Sequence, residues 1–164
     1  MSLARTLRPV ADLDFHDVQS ILLPVAVTPL EAWNLMTRAP HPLMRLAFRL
    51  RDAMSALFGV KRIGGYGRAN LKQVRAGERL DFFLVEHAEP DVLILTERDR
   101  HLDVMICIAI EGRRLTITAS VVTHNAFGGL YMLPVAPAHR RIVRHDLRLL
   151  QRFLRGSVAN SAVP

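Results

Sequence analysis

From Leu80 to Asn125 the chain breaks into four runs in which apolar residues recur at every second position, parted by short polar turns at Glu89-Pro90, Asp99-Arg100 and Gly112-Arg113. A period of two marks strands that bury one face, and turns this short join antiparallel neighbours, so the stretch predicts a meander. Tight turns would set Leu84 beside Leu95, Leu95 beside Val104 and Ile108 beside Ile117. One face then carries Phe82, Leu84, Leu93, Leu95, Val104, Ile106, Ile108, Leu115, Ile117, Ala119 and Val121, and with them two carboxylates, Glu86 and Glu97. The other face has polar ends (Asp81, His87, Arg98, His101, Asp103, Thr116, His124) around a middle of Phe83, Val85, Val92, Ile94, Met105 and Cys107. That middle is too apolar to leave in water, and it predicts a homodimer joined through the outer sheet face.

The flanks change period. A first strand is expected near Val18 to Val25. Thr28-Pro29-Leu30-Glu31 then has the form of a capping box, with Pro29 at the first helical position, and predicts a short helix to about Arg38. A second helix is expected over Leu43 to Phe58, where Arg45, Arg49, Asp52 and Ser55 fall three or four apart on one stripe. Ala138 to Arg155 repeats apolar residues at helical spacing through Ile142, Leu149 and Phe153, so the domain closes on a long helix begun or kinked near Pro137. The pattern describes one α+β domain over residues 14–155, with tails at 1–13 and 156–164.

Composition narrows the function classes. A chain of 164 residues can bury roughly two thirds of its unfolded surface without staples. Its single cysteine, Cys107, forms no internal disulfide, and no apolar stretch reaches the length of a membrane span, so a cytoplasmic protein with no transmembrane segment is expected. The formal net charge is +7, carried almost wholly by arginine; Lys61 and Lys72 are the lysines. Arg140, Arg144, Arg148, Arg152 and Arg155 recur every three or four residues, which a solvated helix face produces by default. No signature of specific nucleic-acid recognition accompanies them, and weak, salt-sensitive binding to nucleic acid or an anionic membrane is the most they imply.

Motifs for chemistry are sparse. Gly64-Gly65-Tyr66-Gly67 lacks the spacing of a dinucleotide fingerprint and the Lys-Ser/Thr of a phosphate loop, so no cofactor is expected. His101, His124 and Asp103 fall near one another at a sheet end but form an incomplete metal set, and no metal is assigned. No hydrolase nucleophile signature is present. Glu86 and Glu97 stand out, because a carboxylate on an apolar face costs on the order of several kcal/mol unless it is paired, protonated or facing a solvated cavity.

The order strand, two helices, meander, long helix resembles the helix-grip fold of the START and polyketide-cyclase-like superfamily. The likeness sharpens at Asp99-Arg100-His101-Leu102-Asp103 and Thr123-His124-Asn125, followed by Gly128, Tyr131, Pro137, His139 and Ile142-Val143. These residues resemble the signature of a bacterial family of unknown function placed with that superfamily. The resemblance implies a curved antiparallel sheet wrapped around the C-terminal helix, and a cavity between them. Trp33, Phe48, Met54 and Tyr131 would line it, with Glu86, Glu97, Asn125 and His139 as polar contacts. The expected function is binding of a small hydrophobic or amphipathic molecule. The alternative is a cyclase, dehydratase or isomerase using Glu97, Tyr131 or His139 for proton transfer.

Overall fold

The structure is a computed structural model, and it describes residues 3–38 and 71–161. The helix expected over Leu43 to Phe58, with the proposed cavity residues Phe48 and Met54, lies outside the described residues. Strands β1 (Phe15–Leu22), β2 (Arg79–Leu80), β3 (Phe83–Ala88), β4 (Val92–Arg98), β5 (Leu102–Glu111) and β6 (Arg114–Thr123) form one open antiparallel sheet in the order β1-β6-β5-β4-β3-β2. Helix α1 (Pro29–Thr37) follows β1, and helix α2 (Ala126–Ser161) closes the chain against one face of the sheet.

The capping box at α1 forms as the sequence predicts: Glu31 N donates to Thr28 Oγ1 at 3.2 Å, and Thr28 N donates back to Glu31 Oε2 at 2.7 Å. Strand β1 starts three residues earlier than expected. Phe15 is buried opposite Val121, and after Leu22 the chain turns so that Leu23 enters the core. Arg113 holds that turn, donating from Nε to Leu23 O and from a terminal nitrogen to Pro24 O.

Register departs from expectation at two of three hairpins. The β5–β6 turn is the two-residue Gly112-Arg113, Gly112 has φ 61°, and Ile108 faces Ile117 as predicted. At β4–β5 the central turn residues are Arg100-His101, so Leu95 faces Ile106 and Glu97 faces Val104. That slip of two residues preserves every face. At β3–β4 the turn is Pro90-Asp91, and a bulge at Glu86 shifts the pairing so that Val85, rather than Leu84, stands opposite Leu95. Phe83 and Val85 therefore enter the helix-side core, while Leu84 and Glu86 point outward, the reverse of their predicted faces.

Helix α2 is longer than predicted, about 54 Å end to end at the standard rise, and Pro134 and Pro137 lie inside it. A proline denies the carbonyl four residues back its partner. The two carbonyls concerned belong to Leu130 and Leu133, both exposed, where water can satisfy them. Ile142, Leu147, Leu150 and Leu154 form the buried stripe.

The first residues, expected as a tail, lie across the outer sheet face. Leu3 and Leu7 pack on Val92, Ile94, Met105, Cys107 and Ala109, Leu3 N donates to Glu111 Oε1, and Leu7 N donates to the buried Ser120 Oγ. Of the apolar middle that suggested a dimer, Val92, Ile94, Met105 and Cys107 thus pack against the chain's own N-terminal segment, while Phe83 and Val85 lie in the helix-side core.

Candidate functional site

Strand β1 is an edge strand, and its residues Phe15, Asp17, Gln19 and Ile21 face α2, opposite Val121, Ala119, Ile117 and Leu115. Two polar side chains in that row are unusual on a core face. Ala119 is small, so Asp17 has room beside it, and the carboxylate is 14% exposed. Gln19 Nε2 donates to Asp17 Oδ2 at 2.7 Å and to the Arg140 carbonyl at 3.0 Å, which ties β1 to α2. Arg140 Nε stands 3.6 Å from Asp17 Oδ1, and its guanidinium covers the Phe15 ring at 5.0 Å.

His139 completes the cluster, edge-on to Phe15 with centroids 5.7 Å apart. Its Nδ1 is buried, makes no hydrogen bond among the described residues, and lies 4.0 Å from Asp17 Oδ2. Burial lowers the imidazole pKa below its ordinary value, Asp17 opposes that shift, and Arg140 adds to it. The outcome is an imidazole biased toward its neutral form, with one buried nitrogen that lacks a partner among the described residues, beside the Phe15 ring.

Beside this cluster two residues at the centre of the sheet pack against the core without being fully buried. Val104 and Ile106 lie on the helix side of β5, a central strand, yet both are only half-buried, whereas Met105 and Cys107 on the outer side are buried. Glu97 faces Val104 from β4 and is 22% exposed, paired with Arg79 at 3.2 Å. Val104 faces Val121, which faces Phe15, so Glu97 and the His139 cluster flank one apolar row, three strand spacings or about 14 Å apart. Among the described residues Val104 and Ile106 form the floor of a shallow groove with the Glu97–Arg79 ion pair along one side, and the buried Val121 and Phe15 separate that floor from the carboxylate, imidazole and guanidinium.

The remaining predicted site residues sit elsewhere. Glu86 is on the outer face, where it accepts from Thr96 Oγ1 and Arg98, both at 2.9 Å. Trp33 is core: its ring is buried edge-on to Phe83, and Nε1 donates to Asp81 Oδ2 at 3.1 Å. Tyr131 packs beside the groove with Phe15, Val121 and Met132. Asn125 caps α2, accepting from Gly128 N at 3.0 Å while its Nδ2 donates to Arg100 O at 3.1 Å and lies 3.1 Å from His101 Nδ1.

The signature residues therefore divide into two jobs. Asp99 Oδ1 accepts from His101 N and Leu102 N, shaping the β4–β5 turn, and His101 stacks on Phe127 at 4.6 Å. A Cβ added at Gly128 would fall within 2.3 Å of the His101 carbonyl oxygen, so only glycine lets α2 start against that turn. His124 pairs with Asp103 at 3.1 Å on the outer side. Of the signature, His139 meets Asp17 and Phe15, and Tyr131 packs with Phe15, Val121 and Met132 beside the groove.

Asp17, Gln19 and Arg79 were not singled out from sequence, and Arg140 was assigned to a solvated helix face, whereas its Nε stands 3.6 Å from Asp17 and its guanidinium covers Phe15. The signal for the first two was present: Phe-x-Asp-x-Gln-x-Ile is strand alternation with polar residues on the buried side, visible once β1 is started at Phe15.

No curated protein matches the chain. A family model described as "Protein of unknown function (DUF2867)" matches residues 9–146, a span that contains the whole sheet and the Asp17–His139–Arg140 cluster. The chain therefore belongs to the DUF2867 family.

Proposed function

We propose that the chain is a helix-grip-type binding module of a cytoplasmic protein, and that it takes a small hydrophobic or amphipathic molecule on the helix side of its sheet. The observation that carries this reading is the incomplete burial of Val104 and Ile106 on a central strand, between Glu97 with Arg79 on one side and the Asp17–His139 cluster on the other. Apolar contact with that floor supplies affinity, and the part-exposed Glu97 and Arg79 beside it supply orienting hydrogen bonds. A hydrophobic fluorescent probe is expected to bind stoichiometrically and to be displaced by fatty-acid-like, sterol-like or polyketide-like compounds. Ile106→Trp, which fills the floor, should abolish that binding while circular dichroism stays unchanged. Probe binding that survives Ile106→Trp with the fold intact defeats the reading.

A second reading is favoured by the same imidazole. In a cyclase, dehydratase or isomerase, a neutral His139 beside Asp17 would take a proton from the bound molecule, and the carboxylate would stabilise the resulting imidazolium. His139→Gln separates the two readings: a binding module keeps most of its ligand affinity, whereas an enzyme loses turnover of a bound ligand identified by native mass spectrometry.

A further inference from the structure

We propose that the exposed side of helix α2 docks on an anionic lipid surface. Arg141, Arg144, Arg148, Arg152 and Arg155 are all exposed on this side, and among the described residues none of the five meets a carboxylate. Their spacing places them along one side of a straight helix, so the charges act together on a flat counter-surface. The same helix exposes large apolar side chains. Leu130 and Leu133, 63% and 70% exposed, precede the arginines on the same side.

Guanidinium groups alone would serve any polyanion. Exposed leucines in line with them gain nothing from a phosphate backbone, but they gain burial at a headgroup boundary, where arginines snorkel to the lipid phosphates. The combination favours lipid, and it occupies the side of α2 away from the sheet, independent of the groove.

Flotation of the full chain with vesicles tests the proposal. Wild type should float with equal parts phosphatidylcholine and phosphatidylglycerol, not with phosphatidylcholine alone, and binding should fall as salt rises. Arg148→Gln with Arg152→Gln should lower the partition coefficient roughly 25-fold, about fivefold per arginine or near 1 kcal/mol each. Glutamine keeps the helix propensity, so thermal melting should not move. Leu130→Ser with Leu133→Ser should weaken flotation at every salt concentration. Equal binding to neutral vesicles, no binding to either, or indifference to the arginine pair overturns the proposal. Tighter binding to duplex DNA than to the anionic vesicles in one buffer also overturns it and assigns the arginines to a phosphate backbone.

Discussion

His139 and Gly128 show how one residue's chemistry depends on what the fold sets against it. Burial lowers the His139 pKa from 6.5, so as pH falls through and below that value the unfolded chain takes up a proton that the folded chain resists. Its contribution to stability is complete above the ordinary pKa and is lost as pH falls toward the lowered one. Urea midpoints measured at about pH 7.5 and 5.5 should therefore separate less in His139→Gln than in wild type. Asp17→Asn removes the influence that raises this pKa, and an NMR titration should find the His139 midpoint lower still. Gly128→Ala forces Cβ against the His101 carbonyl and should cost about 1–3 kcal/mol by urea unfolding, with the circular dichroism spectrum unchanged. Motif resemblance marked both residues, but a motif does not say that one packs against a turn and the other stands against Asp17 and Phe15 of an edge strand.

At the scale of elements, local rules succeeded wherever the deciding contacts were local. The Thr28 capping box and the Gly112 turn each involve residues within three positions of one another, and both formed as read. The bulge at Glu86 is a different case, because it serves the packing of Phe83 against Trp33 and of Val85 in the core, contacts that span the chain. The N-terminal segment is a second such case. Its leucines are too few to predict any element, yet they find a matching apolar face on β4 and β5. Burial raises the Cys107 pKa, which keeps the thiol protonated and slow to alkylate. Deletion of residues 1–8 should speed its alkylation at least about tenfold and, by uncovering an apolar face, drive self-association in sedimentation velocity. A homodimer through this face requires the segment to leave it, so the intact chain should sediment more slowly than the deletion variant at equal concentration.

For the molecule as a whole, the sheet has two working sides with different occupants. One carries the N-terminal segment, and the other carries α1 and α2, with Val104 and Ile106 half-buried at its centre. Among the described residues no helix is long and apolar enough to cross a membrane. Helix α2 sets six arginines against one aspartate, Asp146, and five of those arginines lie along its outer side, so solubility and any surface attraction should depend on ionic strength more than ligand binding does. Titrating the fluorescent probe across salt concentrations checks this: its affinity should stay nearly constant while flotation with anionic vesicles collapses.

The sequence by itself determined the elements: a meander from its period of two, a cap from Thr28 and Glu31, and a long terminal helix from its apolar stripe. These follow from propensity and periodicity, which act over a few residues. Tertiary structure alone decided which face Phe83, Val85 and Glu86 occupy, because a single bulge inverts a strand and its cause lies in distant packing. It also decided that α2 continues through Pro134 and Pro137, since the energy to hold a proline-bearing turn comes from Met132 and the signature turn beneath it. The site was legible in part. Glu97, Tyr131 and His139 were named from the chain, but Asp17 acquires meaning only when edge strand β1 brings it to 4.0 Å from an imidazole 122 positions away, a distance that no local pattern encodes.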